Sequence, residues 1–275
     1  MDALAGLLRG IRADDALFDR SVLVPPWSVR RADGSLVTFC AVTRGAGWVV
    51  PSVGERRLMQ AGDVAVVRGP EPFSFVDTGA EHEETVLVAG GYRVLGTVSR
   101  QLLDALPPVL VLPCEHEDPI LDYVASEAAA TGPGQAVVLD RMLDWLLVCT
   151  LRAWLDRPES DSPAWYHALN DRVTGPALQA IHENPGRSWT VAALAKHAGV
   201  SRATLAQRFR DTVGEPPLSY LTNWRMAVAA DLLTGSDAPI TSVARQVGYA
   251  DGFGFSAAFK RTRGISPSAY RAGRA

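Results

Sequence analysis

The sequence predicts an α+β protein whose two halves differ in kind. Short β-branched runs separated by Gly and Pro, from Ser21 to about Gly90, predict a small antiparallel barrel or sandwich. Apolar residues spaced three and four apart after Gly91 predict that helices follow it. A helix–glycine–helix pattern that occurs twice between Thr190 and Pro267 predicts an all-α C-terminal part built from two similar units.

The composition is that of a globular chain of about two domains, with 275 residues, 47% apolar and 21% charged. No apolar run reaches the roughly 18 residues that cross a bilayer. Acidic residues stand near the start, where a secretory signal would be basic. Cys40, Cys114 and Cys149 form no CxxC pair, so no disulfide framework is expected. We therefore expect a cytoplasmic protein with reduced thiols and no membrane contact.

The net charge of −3 conceals an uneven distribution. Residues 1–170 carry 14 Arg and Lys against 23 Asp and Glu, a balance of −9, whereas residues 171–275 carry 13 against 7, a balance of +6. A basic part beside an acidic part indicates nucleic-acid contact by the basic one, because phosphate neutralisation supplies most non-specific affinity. Uneven scatter of surface charge is the alternative explanation.

The N-terminal half, residues 1–170, is predicted as one domain of strands followed by helices. Its β-rich runs are SVLV, LVTFCAV, WVV, DVAVV, FSFV and TVLVAG. Its helices are predicted at Val98–Leu106, Asp118–Ala130 and Gln135–Leu155. The last helix carries an apolar stripe that either the barrel or a second copy must cover, and we expect a homodimer that pairs through it.

The segment AGDVAVVRGPEPFSFVD, residues 61–77, resembles the second half of the cupin barrel signature. Gly62 matches its first glycine, but Arg68 and Pro70 replace its P-x-G, and Phe73 replaces its histidine ligand. Because the imidazoles that hold a cupin metal are missing, we expect a sensing or dimerisation domain instead of an enzyme. Aromatic residues could line a ligand pocket in it or simply form its core. The candidates are Trp27, Phe39, Trp48, Phe73 and Phe75.

A zinc site in this half is a separate alternative. Its candidate ligands are Cys40, His82, Cys114 and His116. Their spacing is not that of a zinc finger, and Cys40 is equally consistent with a buried strand residue. The chain has no GxSxG, HExxH, P-loop or GxGxxG motif. We therefore predict that the chain is not an enzyme and binds no cofactor, with zinc as the exception to test.

The C-terminal part, residues 171–275, is predicted as a tandem of helix-turn-helix units. In the first unit Thr190 and Ser201 are suited to cap two helices, and Gly199 suits the left-handed residue of the turn between them. In the second unit, Pro239 to Pro267, apolar residues occupy equivalent positions around Gly248, and the recognition helix is predicted at Asp251–Thr262. One long helix at Pro217–Leu233 would hold the units apart at a fixed distance.

The repeat ends in a distinctive set of residues. These are Val243-Ala244, Val247-Gly248-Tyr249, Phe255, Phe259-Lys260, Gly264, Ser266-Pro267 and Tyr270-Arg271. In these residues the C-terminal part resembles the DNA-binding domain of the AraC/XylS family of bacterial transcription regulators. The N-terminal half is similar to the cupin-like sensor domain that precedes this module in many members, though over a looser match. The resemblance implies a double-stranded DNA operator, a small-molecule effector, and RNA polymerase as a partner if the protein activates transcription.

The resemblance also implies that two recognition helices enter successive major-groove faces on one side of the DNA, about 34 Å apart. The candidate DNA-binding residues of the first unit are Ser201, Arg202, Ala203, Ala206, Gln207, Arg208 and Arg210. Those of the second are Gly252, Phe253, Ser256, Lys260, Arg261 and Arg263. As an amide, Gln207 suits bidentate pairing with adenine, whereas the arginines suit phosphates. Because the second helix lacks base-edge donors, we expect it to contact phosphates and a thymine methyl group through Phe253.

The sequence thus predicts a DNA-binding transcription regulator whose N-terminal domain senses a signal or dimerises. The first alternative is a zinc-binding cupin-type sensor or enzyme with an accessory DNA-binding module. A second alternative is an adaptor that has lost DNA binding, although the charge of +6 in residues 171–275 argues against it.

Overall fold

The computed structural model describes residues 11–79, 84–94, 96–113, 119–130, 132–157 and 164–273. The described residues contain nine strands: β1 (Ile11–Leu23), β2 (Ser28–Arg31), β3 (Val37–Arg44), β4 (Ala46–Pro51), β5 (Arg57–Gln60), β6 (Asp63–Arg68), β7 (Phe73–Asp77), β8 (Thr85–Val94) and β9 (Val109–Pro113). Their helices are α1 (Thr97–Asp104), α2 (Pro119–Ala129), α3 (Gln135–Leu155), α4 (Ala164–Leu169), α5 (Thr174–Glu183), α6 (Val191–His197), α7 (Arg202–Val213), α8 (Pro217–Gly235), α9 (Ile240–Gln246), α10 (Gly252–Arg263) and α11 (Pro267–Ala272).

These elements form two compact units. Among the described residues, those within 11–94 and 103–157 form one unit, and those within 96–102 and 164–273 form the other. The first unit is an antiparallel β-structure followed by helices, and the second is helical. This confirms the predicted α+β class. Among the described helices, none combines the length and the apolar character of a membrane span.

The β-structure consists of two antiparallel sheets. A five-stranded sheet has the order β1-β8-β3-β6-β9, and a four-stranded sheet has the order β2-β7-β4-β5. Because side chains alternate along a strand, every second residue of each sheet points into a shared core. The core residues are Cys40, Val42, Val49, Met59, Ala65, Val67, Phe73, Phe75, Leu87, Ala89 and Val109.

The opposite face of the five-stranded sheet is also buried, because α2 and α3 pack against it. The phenolic hydroxyl of the buried Tyr92 on β8 donates a hydrogen bond of 2.7 Å to the Leu143 carbonyl of α3. Strands covered on both faces give continuous apolar runs, which explains LVTFCAV and DVAVV. The barrel therefore covers one side of the apolar stripe of α3, one of the two alternatives that the sequence left open.

Several strands were not predicted. β2 and β5 are short strands with exposed residues, and β9 is a run of five residues after Pro108. β1 begins ten residues before the predicted run SVLV, at Ile11, and its pairing with β8 shifts between Ala13 and Phe18. These strands are defined by their partners in the sheet more than by their own periodicity.

The helical unit contains the two predicted repeats. The Thr190 hydroxyl accepts from the Ala193 amide at 3.1 Å, and the Ser201 hydroxyl accepts from the Thr204 amide at 3.1 Å. Gly199, in the turn between α6 and α7, has a φ of 69°. The predicted caps and turn are therefore confirmed, and α8 extends two residues beyond the predicted end of the connecting helix.

Candidate nucleic-acid interface

The first recognition helix, α7, has one buried side and one exposed side. Leu205 and Phe209 are fully buried and hold the helix against its neighbours. Ala203, Gln207 and Arg210, spaced four and three residues apart, share the exposed side. The structure therefore brings three of the predicted contact residues onto one outward stripe.

Gln207 lies in the middle of this stripe and is already hydrogen-bonded. Its Nε2 donates to the Asp211 carboxylate at 2.8 Å. Bidentate pairing with adenine uses both the oxygen and the nitrogen of an amide. Because the amide nitrogen has two hydrogens, its second N–H and the oxygen of Gln207 remain available to a base while the first is held by Asp211. Sequence reasoning missed Asp211, although its i,i+4 spacing from Gln207 was the available signal.

The other candidates of α7 differ in their surroundings. The Ser201 hydroxyl is occupied as the helix cap. Arg202 is exposed in the first turn, and Ala206 is half-buried beside Leu205. Arg202 therefore remains available for a phosphate, whereas Ser201 and Ala206 act mainly in shaping the helix.

Arg208 is engaged elsewhere. Its Nε and Nη2 donate to Oδ2 of Asp171 at 2.9 and 2.6 Å. The second oxygen of Asp171 accepts from the amides of Val173 and Thr174, both at 2.9 Å. This carboxylate thus joins the start of α5 to α7, and the phosphate contact expected of Arg208 competes with an existing ion pair.

Asp171 provides a prediction for the pH dependence of stability. The hydrogen-bonded Arg208 guanidinium, followed by the backbone amides, holds the pKa of the Asp171 carboxyl well below its usual range. The pKa of this carboxyl is lower in the folded state than in the unfolded state, where it is about 3.9, so the ionised carboxylate stabilises the fold above about pH 4. This stabilisation is lost as the pH falls below that value towards the folded-state pKa. We expect Asp171→Asn to lower the free energy of unfolding at pH 7 by about 1 kcal/mol, because solvent around the half-exposed Arg208 screens the ion pair, and the difference from the unsubstituted protein to shrink towards about pH 3.

Urea unfolding followed by tryptophan fluorescence at both pH values measures this difference. Arg210→Ala, which removes an arginine from the opposite side of α7, is the matched control and should leave the unfolding free energy unchanged. An effect of Asp171→Asn that is equally large at both pH values would contradict the assignment.

The second recognition helix, α10, is capped by Asp251, whose Oδ1 accepts from the Phe253 and Gly254 amides, both at 2.8 Å. Phe255 and Phe259 are fully buried, whereas Phe253 is 90% exposed. An aromatic ring that is almost entirely in solvent contributes little to folding and is available to an external partner. The exposed ring of Phe253 is consistent with the expected contact to a thymine methyl group.

The polar candidates of α10 are divided between solvent and the protein interior. Lys260 and Arg261 are exposed. The Ser256 hydroxyl donates to the Gly252 carbonyl at 2.7 Å, so its proton is already engaged. Arg263 is half-buried and lies near Asp231 of α8. Burial raises the pKa of the Asp231 carboxyl, and the positive charge of Arg263 opposes this effect. Lys260 and Arg261 are thus the phosphate candidates that this helix presents most freely.

The predicted pocket residues lie on different faces of the sheets. Phe73 and Phe75 pack edge to face with ring centroids 5.4 Å apart, and Trp27 packs against the same core. Phe39 precedes the core residue Cys40 on β3, and Trp48 precedes the core residue Val49 on β4. Because successive side chains of a strand point to opposite faces, Phe39 and Trp48 face away from that core. Phe39 is buried, and Trp48 is covered by the Arg56 guanidinium at 4.2 Å.

A pocket of about 230 Å³ lies instead at one end of the β-structure. It is lined by Pro51, Ser52, Val53, Val67, Arg68, Glu71, Pro72, Phe73 and Pro108. Phe73 is the one predicted pocket residue that contributes to it. Arg68 and Glu71 place charged groups beside its apolar residues, and Arg68 Nη1 donates to the Asp104 carbonyl at 3.0 Å.

The zinc candidates are only partly described. Cys40 is fully buried in β3, and burial raises the pKa of its thiol, which therefore stays protonated and is not a ready metal ligand. His82, Cys114 and His116 lie outside the described residues. Within the described ranges, no group of three or more His, Cys, Asp or Glu side chains converges on a possible metal position.

Comparison with known proteins places both halves in families. Residues 2–156 match the Cupin family, and residues 194–273 match a helix-turn-helix domain family. An AraC-like transcription regulator of Streptomyces lividans is 32% identical over 298 aligned positions, which cover 98% of both chains. The chain belongs to the AraC-like transcription regulators. The RCS-specific HTH-type transcriptional activator RclR of Escherichia coli K12 is 30% identical, over 98% of this chain and 97% of its own.

This AraC-like regulator is therefore a DNA-binding protein with an N-terminal cupin domain and a C-terminal helix-turn-helix domain. The resemblance drawn from the sequence is confirmed for both halves. The stripe on α7 and the residues Phe253, Lys260 and Arg261 of α10 are exposed, and their contact with DNA stays a prediction. Asp171 and Asp211 are the neighbours of these surfaces that sequence reasoning missed.

Proposed function

We propose that the regulator recognises its operator mainly through α7 and holds the DNA backbone mainly through α10. The observation that carries this proposal is the unequal chemistry of the two exposed helix surfaces. Ala203, Gln207 and Arg210 form a stripe on α7 with an amide at its centre, whereas α10 presents Phe253 and two cations. Base edges are recognised by amides and arginines, and phosphates by cations of either kind.

Binding of the full chain to duplex DNA at several salt concentrations tests this proposal. A duplex selected from a randomised pool and a scrambled duplex of equal length are the two probes. We expect the selected duplex to bind more tightly, and the logarithm of each affinity to fall linearly with the logarithm of the salt concentration. Absence of binding to both probes at low salt would instead favour an adaptor that has lost DNA binding.

We further propose that the N-terminal domain dimerises through the outward side of α3. Val138 and Trp145 are seven residues apart on this helix and are 40% and 50% exposed, and Val137 beside them is 59% exposed. Exposed apolar groups on one side of a helix are typical of an interface. A second copy presents the same surface and so satisfies a two-fold symmetric contact.

Replacing Trp145 with lysine is expected to weaken dimerisation by at least about tenfold, because a tryptophan at the centre of an interface is often a hot spot. Sedimentation velocity of the full chain over a range of concentrations measures the change. Leu58→Lys is the matched control, since Leu58 is 39% exposed on β5, away from α3. The proposed interface is incorrect if both variants dimerise equally well.

We also propose that a small-molecule effector binds the N-terminal domain, and the pocket beside Phe73 is the candidate site. An effector can change DNA binding only if it binds one state of the regulator more tightly than the other. Mapping the bound sites across the genome would identify the controlled genes, and these would indicate the chemical class of the effector and whether RNA polymerase is recruited.

We infer that the chain works without catalysis and in the cytoplasm. Its relatives are named as transcription regulators, and the DNA of a bacterium lies in that compartment. The fold of its N-terminal domain is compatible with either binding or catalysis. The inference that the chain works without catalysis therefore depends on the absence of the metal-ligating residues of the cupin signature from its sequence.

A further inference from the structure

The two helix-turn-helix units touch each other directly through their backbones. A loop at residues 184–187, between α5 and α6 of the first unit, lies against the turn after α9 of the second unit. A Cβ atom on Gly186 would collide with the Gln246 carbonyl oxygen, and one on Gly248 would lie 2.6 Å from the Gly186 carbonyl oxygen. Contact this close leaves no space for a side chain at either glycine.

Arg225 of α8 holds this contact in place. Its Nε donates to the Pro185 carbonyl at 2.7 Å, and its Nη2 donates to the Arg187 carbonyl at 2.8 Å. These two carbonyls flank Gly186, so one planar guanidinium fixes the loop at both sides of the contact. An arginine is suited to this role because its donors have a rigid relative geometry.

The same guanidinium also lies against the second unit. Its central carbon is 5.9 Å from the centroid of the Tyr249 ring, and its Nη2 would be 2.5 Å from a Cβ on Gly248. Gly248 has a φ of 83°, a conformation that favours glycine. Arg225 therefore contacts the loop of one unit and the turn of the other.

Each side of this contact is connected to firmly packed residues. In the first unit the Trp189 indole donates to the Asn184 carbonyl at 3.0 Å, and the Arg187 guanidinium lies 4.3 Å from the Trp189 ring centroid. In the second unit the Tyr249 ring packs edge to face against Phe255 of α10, with centroids 5.8 Å apart. A displacement at Arg225 would therefore reach the second recognition helix.

We propose that Arg225 is a positioning residue that fixes the separation of the two recognition helices and thereby the base-pair spacing that the regulator accepts. The proposal rests on the proposed binding of both units to one operator. Helix α8 packs on both units, against Phe209 of the first through Tyr220 and in the core of the second through Met226. The contact at Gly186 and Gly248, held by Arg225, attaches the units to each other outside α8 and restricts their rotation about that helix.

In vitro selection of randomised duplexes by the full chain tests the proposal. The unsubstituted protein, Arg225→Ala and Arg225→Lys are each used to select DNA from the same pool. We expect the unsubstituted protein to enrich a strong sequence block, recognised by α7, and a weaker thymine-containing block, contacted by Phe253 of α10, at one spacing. Arg225→Ala is expected to enrich the same two blocks over several spacings, and Arg225→Lys, which keeps the charge but lacks the planar fork, to give an intermediate spread.

Binding to the selected duplex with one base pair inserted between the blocks gives the quantitative measure. The insertion moves one block by about 3.4 Å and rotates it by roughly 35°. The unsubstituted protein should lose at least about tenfold in affinity, as for a poorly matched site. Arg225→Ala should lose much less, so the ratio of the two affinities falls towards one.

Arg271→Ala is the matched control, because Arg271 Nη2 donates to the Ala238 carbonyl at 2.6 Å within the second unit only. A loss of stability alone lowers binding to both duplexes equally and leaves their affinity ratio unchanged, and we expect this for Arg271→Ala. The proposal is overturned if Arg225→Ala keeps the ratio of the unsubstituted protein, or if Arg271→Ala changes it as much.

Gly186→Ala decides the question if Arg225→Ala does not fold. Its new Cβ must push the Gln246 carbonyl away, so it should change the preferred spacing, and an unchanged spacing would overturn the proposal. If the unsubstituted protein enriches no pair of blocks, the proposed binding of one operator by both units fails first.

Discussion

Phe259→Ala is expected to destabilise the helix-turn-helix domain by about 3–5 kcal/mol, the usual cost of removing a buried phenylalanine ring. Phe259 is fully buried between Phe255 and Tyr270, with ring centroids 5.6 and 5.4 Å away. Since a domain is stable by only about 5–15 kcal/mol, this loss should abolish DNA binding on moderate heating. Thermal unfolding monitored by circular dichroism measures the change.

The control for this prediction lies in the same helix. Phe253 is 90% exposed, so Phe253→Ala should change the free energy of unfolding by less than about 0.5 kcal/mol. It should nevertheless weaken binding to a selected duplex if the ring contacts a thymine methyl group. Equal destabilisation by the two substitutions would mean that the packing of α10 has been misassigned.

Gln207→Ala is expected to weaken binding to the selected duplex by about 1–3 kcal/mol, which corresponds to roughly 5- to 150-fold. The loss should be confined to one base-pair position, where the preference for adenine disappears. Binding to scrambled DNA should hardly change, because Gln207 carries no charge. Fluorescence anisotropy with duplexes that differ at single positions measures both quantities.

Arg261→Ala separates this effect from a general loss of affinity. Arg261 is exposed on α10, and its removal should weaken binding to selected and scrambled duplexes alike and reduce the slope of the salt dependence by about one. If Gln207→Ala instead weakens both duplexes to the same extent, α7 does not provide the base recognition proposed for it.

Features encoded by neighbouring residues could be predicted from the sequence. Thr190, Ser201 and Gly199 act within one turn of their own position, and the structure confirms their roles as caps and turn residue. The bounds of α3 also agree with the prediction, because a long apolar stripe defines a helix without reference to its partners.

Features that depend on distant partners could not be predicted in this way. The pair of Arg208 with Asp171 joins residues 37 positions apart, and nothing near either residue indicates it. Phe39, Trp48 and Phe73 look alike in the sequence because all are aromatic, but the side of the strand on which each lies depends on the register of the sheets. The short strands β2 and β5 likewise exist because a neighbouring strand supplies their hydrogen bonds.

The close packing between the two sheets has a consequence for how such a protein can evolve. A molecule admitted between the sheets would have to displace side chains such as Phe75 and Met59, both almost completely buried, at the expense of folding. Residues 51–53 and 71–72 lie at the rim of the pocket beside Phe73, outside the core between the sheets. Substitutions there do not disturb the core in this way. Responsiveness to a new chemical signal can therefore arise at the rim while the sheets stay as they are.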